Sequence, residues 1–504
     1  RRVGETIETL YPDRLTDEAP RLAYHFQECR DWPKAVRYYA MAGEAASQLY
    51  ANTEAIEHYS QAVAICLANP AAVEDALLAG VYRRRGRVFE VAGRFDEALR
   101  NYEELERLGR ERDNPTLELE GLMPQVIIYV TPTRHMSAAK GRALAERMLA
   151  LAERTGRADG EVRGRWSLML LYMNVEPDAA LAVEEGDRAL ALARRHELRE
   201  LEAHVLNDIG RAYATAGRID DAFNAFEQAS RLWQEMGNEP MLADVLSVWS
   251  QGLLLRGDLD GAERTAREGL IVAQRIGNQW SQAFNSYSLG CTLLERGQFA
   301  EALRLLWAAA ELASRAGFQG PSVMVPLVIG WIAGTLGLPS YRRERLEQLV
   351  AASGAEQHFP PFWRLWSIVG RYLDGDAAGA YELATGIELP PTITAGQEGV
   401  FAAIVVPVIA LAAGQPEEAL VLVDRLLTFT KTSGFFGVWP DAHKLRGDAL
   451  RQLDRREEAL AAYRLALEEA QRQGARRAEW PAAAALSELE PDPATAAAYR
   501  AQSA

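Results

Sequence analysis

One short pattern returns along this chain: a turn residue, usually Gly, then polar, apolar, acidic, acidic, Ala, apolar. It reads Gly93-Arg94-Phe95-Asp96-Glu97-Ala98-Leu99, and again Gly217-Arg218-Ile219-Asp220-Asp221-Ala222-Phe223. Further copies start at Gly257, Gly297 and Gly414, and a copy without Gly starts at Asp454. Gly217, Gly257 and Gly297 are spaced by 40 residues, as are Gly414 and Asp454; weaker copies stand near Gly337 and at Gly375-Asp376. Self-similarity at a fixed period constrains the fold more than composition does, because each copy must then be one supersecondary unit.

The residues around each turn specify a helical hairpin. Before Gly217, the apolar residues Leu206, Ile209 and Tyr213 recur at spacings of three and four, the period of a helix face. Gly217 supplies the backbone freedom that ends this helix. Asp220 and Asp221 favour the positive end of the next helix dipole, and Ala222, Phe226 and Ala229 continue an apolar stripe. Small residues such as Gly210 and Ala222 let the two helices approach closely. One hairpin cannot bury its apolar face alone, but stacked copies can. The fold class expected is therefore all-α, a right-handed solenoid of about a dozen hairpins. Repeats are expected to contact mainly their neighbours, so that removal of the chain after Asp441 leaves a folded remainder.

The pattern resembles the tetratricopeptide repeat, through Leu206, Gly210, Tyr213, Ala222, Phe226 and Ala229 in one copy and Gly447, Leu450, Ala459, Tyr463 and Ala466 in another. The period departs from the common form, about 40 residues against 34. A narrower resemblance covers about the first 65 residues, through Arg2-Val3-Gly4-Glu5-Thr6-Ile7, Leu22-Ala23-Tyr24-His25-Phe26, Asp31-Trp32-Pro33-Lys34 and Ala42-Gly43-Glu44. It is similar to the junction behind the ATPase core of bacterial STAND-type signalling ATPases, among them maltose-regulator-like activators and cyclase or kinase relatives. The resemblance implies a nucleotide-binding module in cis upstream of Arg1, and an array that senses an inducer. On this reading residues 1–30 are junction helices, 31–490 the repeat superhelix and 491–504 a tail. The chain, which opens Arg1-Arg2 without Met, reads as a fragment of something longer.

Composition sets the remaining limits. The net charge is −15, which disfavours direct binding to nucleic acid or to an anionic membrane. The uncharged stretches Pro321–Pro339 and Gly399–Gly414 fall in register with the repeat and read as buried helices. Three cysteines far apart in sequence, Cys29, Cys66 and Cys291, give no disulfide framework and suggest a cytoplasmic setting. No phosphate-binding loop is present: Lys140 is followed by Gly141 and not by Ser or Thr, and Lys431-Thr432 lacks a preceding glycine. The seven histidines show no metal spacing. Acidic pairs such as Asp220/Asp221 recur at one repeat position, which fits helix-start electrostatics better than acid–base catalysis. Neither an enzyme, a cofactor nor a metal is expected in this chain.

Binding residues are expected on the first helix of each hairpin, which lines the concave groove of such an array. Counting back from the turns, these are His204, Asn207 and Arg211, then Asp244, Ser247 and Gln251, then Tyr287. Arg83 and Arg87, four apart, share one face and suit a carboxylate or phosphate. Toward the C-terminus the positions turn aromatic, with Trp331, Phe362 and Trp366. A polar wall opposite an aromatic one suits an amphipathic small-molecule inducer or a peptide. Arg211→Ala and Trp331→Ala are then expected to weaken binding without unfolding the array. Solvated groove and inter-repeat core are the plain alternatives for these residues. The function expected is a ligand- or protein-binding sensor that regulates an attached signalling ATPase. The alternatives are a free-standing peptide-binding scaffold or, with less support, an enzyme with a site between repeats.

Overall fold

In the computed structural model, which describes residues 1–48, 51–131, 135–316, 320–354, 356, 360–385 and 397–503, the chain is 84% helical, with 26 α-helices and no strand among the described residues. Two compact units divide it, Arg1–Glu202 and Ala203–Ala504.

In the first unit, α1 (Arg2–Leu10) and α2 (Ala19–Glu28) precede the hairpins α3/α4 (Trp32–Gln48, Asn52–Ala68), α5/α6 (Asp75–Val91, Phe95–Glu111), α7/α8 (Pro115–Val130, Ala138–Thr155) and α9/α10 (Ala158–Asn174, Ala179–Arg195). Glu8 of α1 accepts hydrogen bonds from Lys34 Nζ at 2.7 Å and from Tyr38 at 2.5 Å, and Phe26 of α2 stacks on Tyr38. The leading helices are thus packed onto the first hairpin.

The second unit contains most of α11 (Arg199–Thr215) and its partner α12 (Ile219–Glu235), then α13/α14 (Glu239–Arg256, Leu259–Arg275), α15/α16 (Gln279–Glu295, Phe299–Ala316) and α17/α18 (Gly320–Thr335, Arg343–Ala352). The hairpins α19/α20 (Pro360–Leu373, Ala377–Thr385), α21/α22 (Gln397–Ala412, Pro416–Ser433) and α23/α24 (Trp439–Gln452, Arg456–Gln473) follow. The closing pair is α25 (Arg476–Leu489) and α26 (Pro493–Ser503). Pro124, Pro326 and Pro407 lie inside the first helices α7, α17 and α21.

The repeated residues have the local roles their types dictate. The turn glycines 217, 257 and 297 have φ of 77°, 84° and 73°, where a Cβ is strained. At the copy without Gly, Asp454 takes φ 58°, a conformation a short polar side chain tolerates. The acidic pair falls in the first turn of the second helix, as at Asp220/Asp221 and Glu457/Glu458. A clasp joins it to the turn residue: Arg218 to Asp221 at 2.7 Å and Arg455 to Glu458 at 2.7 Å. In five hairpins a first-helix glycine faces a second-helix side chain sixteen residues on. At Gly43/Tyr59, Gly86/Tyr102, Gly210/Phe226, Gly290/Leu306 and Gly447/Tyr463 an added Cβ would fall within 2.9 Å of that side chain. No described helix is long and apolar enough to cross a membrane.

Nearest-neighbour stacking describes most of the contacts, but the second unit departs from it. Gly437 approaches the Leu254 and Leu255 carbonyls of α13 too closely for any side chain. A Cβ on Gly257 would meet the Gln473 carboxamide at 2.8 Å, and one on Gly297 would meet Cβ of Arg476 at 3.3 Å. Leu259 is buried with Ala470, Ala475 and Ala478. Arg477 Nε donates to both oxygens of Glu295 at 3.0 Å, across 182 residues of sequence. The C-terminal hairpins therefore return to the turns of the middle repeats. The expectation that repeats touch mainly their sequence neighbours holds for most helix pairs, and this return is the exception.

Candidate functional site

The 40-residue period puts equivalent residues of α11, α13 and α15 in rows: His204 with Asp244, Asn207 with Ser247 and Tyr287, Arg211 with Gln251 and Cys291. Asn207 is buried, 5% exposed, and its Nδ2 donates to Asp244 Oδ2 at 3.3 Å. Its Oδ1 is buried without a hydrogen-bond partner. An unmet buried acceptor costs on the order of 1–3 kcal/mol. His204 sits edge-on to the buried Trp233 ring, with centroids 4.8 Å apart. Arg211 is exposed, with Asp208 3.9 Å away.

One helix further, the polar row becomes a seam. Gln251 Nε2 donates to Ser288 Oγ at 2.9 Å, and Ser288 Oγ donates to the Ser247 carbonyl at 3.4 Å. Asn285, fully buried, donates from Nδ2 to the carbonyls of Ala243 and Ser281, at 2.9 Å each. Ser247 is itself 2% exposed. These side chains join α13 to α15 by hydrogen bonds. Asn285 and Ser288 were not singled out from sequence, although the run Asn285-Ser286-Tyr287-Ser288 in a core-facing register is a visible signal.

The aromatic positions are placed differently. Tyr287, Trp331 and Trp366 are buried and belong to one apolar core. Trp331 lies against Tyr372 at 5.9 Å and Phe401 at 6.1 Å, and Arg343 caps the Trp366 ring at 5.5 Å. Phe362 falls in α19, with its side chain outside the described residues. Burial pushes the Cys291 thiol beside Tyr287 up to about 12. The expectation that Trp331→Ala spares the fold is corrected by this packing, since that ring fills core volume.

Arg83 and Arg87 lie in the first unit and are exposed. Arg83 pairs with Glu120 of α7 at 3.2 Å, and Arg163 of α9 reaches the same carboxylate at 3.7 Å, a ladder over three successive first helices. Arg87 pairs with Glu90 at 2.9 Å. Among the described residues no group of three or more His, Cys, Asp or Glu is poised to hold a metal ion. The first-helix face of α11 and α13 thus offers hydrogen-bond acceptors, an amide and an arginine, a chemistry of recognition.

A tetratricopeptide repeat model matches residues 441–472, which span α23 and α24. No curated protein matches the chain. Among solved structures, a Rap protein complexed with competence and sporulation factor is similar over 79% of this chain and 98% of its own. It shares 13% identity, with a TM-score of 0.50. The Cut9–Hcn1 hetero-tetramer of the APC/C covers 99% of this chain and 89% of its own at 13% identity and TM-score 0.44. A human IFIT1 dimer with m7Gppp-AAAA covers 90% and 94% at 14% identity and 0.38. The likeness at 0.50 is one of fold: with the repeat match and the helical hairpins, it makes the architecture a tetratricopeptide-like helical solenoid.

Proposed function

We propose that this chain is an interaction array that binds a peptide or another polar ligand on the first-helix face of α11 and α13. The observation that carries the reading is the buried, unpartnered Oδ1 of Asn207 beside the Asp244 carboxylate. A ligand N–H donated to that oxygen removes a standing desolvation cost, while Asp244 and Arg211 supply charge of both signs at its edge. The Rap structure, complexed with competence and sporulation factor, is an instance of this fold holding a ligand.

The finer part of the proposal is that the array regulates a STAND-type ATPase in cis, as an inducer sensor. It rests on the resemblance of the first 65 residues given above. A free-standing scaffold is the second reading, favoured by the fold alone.

The test starts from a ligand identified by the shift it causes in melting temperature, screened from fractionated cell extract. Asn207→Ala is then expected to weaken that ligand about 5- to 100-fold in calorimetric titration, the scale of one hydrogen bond to a buried group, with an unchanged circular dichroism spectrum. An unchanged affinity removes this face as the site. The regulatory part is read from the coding sequence ahead of Arg1: a phosphate-binding loop supports it, and a start codon there leaves the scaffold.

A further inference from the structure

Within the second unit, the meeting of the C-terminal hairpins with the middle repeats is not required by stacking. Each side also has a core of its own. On one side Ala459, Tyr463, Ala466, Ala482 and Leu486 share a core; on the other, Leu293, Ala302, Leu306 and Ala309 belong to a separate core. The contact between them is of a different kind. Its centre is Arg477, which binds Glu295 through Nε and Nη2 and Asp441 through both terminal nitrogens. Its apolar part is small: Leu259 against three alanines, with Leu254 beside them. Close approach at Gly257, Gly297 and Gly437 adds to it, as do Gly217 against Ser433 and Gly434 against Ile219.

We propose that this contact is a latch, and that the second unit has an open state in which α24 and α25 leave the turns at Gly257 and Gly297 while every repeat stays folded. Three physical considerations support it. In a solenoid, stability is close to a sum of neighbour terms, so opening forfeits only the latch contacts. A partly buried ion triad contributes little net stability, because desolvating the charges offsets their attraction. Small polar interfaces within a chain permit relative motion as the default. The stretch between the two sides also contains a short second helix, α18 with ten residues, against 17 or 18 in α12, α14, α16, α22 and α24. The latch concerns the same unit as the proposed binding face, but it stands without that proposal.

The test measures one distance in the full chain. Spin labels carried by non-natural amino acids replace Ala300 and Glu468, both exposed and on opposite sides of the latch, so the native cysteines remain. The parent protein is expected to give one narrow distance by pulsed electron resonance. Arg477→Glu, and the isosteric Glu295→Gln, are expected to raise the ratio of a longer to the short distance tenfold or more, with unchanged helical circular dichroism. A single short distance in both variants overturns the latch. Loss of helical signal in Glu295→Gln also overturns it, because the contact is then part of the folded core.

Discussion

Gly447 and Tyr463 show how a single residue type is forced. A Cβ at Gly447 would lie 2.5 Å from the Tyr463 ring, and the ring is fully buried, with its hydroxyl donating to Asp448 at 2.9 Å. Gly447→Ala gains helix propensity of about 1 kcal/mol but overpacks the hairpin, at a cost of about 1–3 kcal/mol. The expected net result is a loss of stability, measured as a lower urea midpoint with an unchanged slope. Trp331→Ala is expected to cost about 3–5 kcal/mol as a core truncation, again read from urea unfolding. The cysteines give a third prediction at this scale. Burial pushes Cys66 up to about 11 and Cys291 up to about 12. At pH 8 each then presents roughly a hundredth or less of the thiolate of a free cysteine. Neither is expected to react with a disulfide reagent in the native protein within minutes, and both should react after unfolding in guanidinium.

At the scale of the element, the hairpins are bounded by two kinds of turn, and only one was read from sequence. The turns within hairpins carry the Gly–polar–apolar–acidic signature. The turns between hairpins have their own: Gly237-Asn238 and Gly277-Asn278, one 40-residue step apart. Asn238 caps α13 by accepting from Met241 N at 3.2 Å, and Asn278 caps α15 by accepting from Ser281 N at 3.1 Å. Loss of such a cap costs about 0.5–2 kcal/mol. Asn278→Ala is therefore expected to lower the melting temperature and to raise hydrogen exchange in the first turn of α15, whereas Asn278→Ser leaves both near the parent values. The same period that revealed the first turn would have revealed the second, since Asn at a helix start is a mechanism and not only a repeat letter.

For the whole molecule, the recurring buried tyrosines set an alkaline limit. Burial holds the phenols of Tyr59, Tyr82, Tyr102 and Tyr463 above the usual range, and the carboxylates of Glu44, Glu104, Glu90 and Asp448 push them the same way. A group whose folded form binds its proton more tightly contributes stability fully below its unfolded pKa, about 10 for Tyr. That contribution is lost as pH rises beyond it. Stability is expected to fall above about pH 10, with a class of phenols that ionise, by ultraviolet absorbance, only as helical signal is lost. Truncation after Asp441 is a second prediction at this scale. The remaining repeats should keep their helical signal, as neighbour stacking requires. Backbone amides at the Gly257 and Gly297 turns should nonetheless exchange faster, because Gln473, Arg476 and Arg477 no longer cover them.

The sequence by itself determined the hairpin, its period and its class, because those depend on residues within about twenty positions of each other: a glycine that ends a helix, acids that start the next, a small residue opposite a ring. It also marked which first-helix positions are polar. Tertiary structure decided what those positions do. Asn207 and Ser247 are drawn into the seam between first helices, Trp331 and Trp366 fill core volume, and Arg83 is held by a glutamate 37 residues on. The return of Arg477 to Glu295 had no local signal at all. One arginine and one glutamate, 182 residues apart, meet only because the intervening hairpins accumulate a turn whose size no single repeat records.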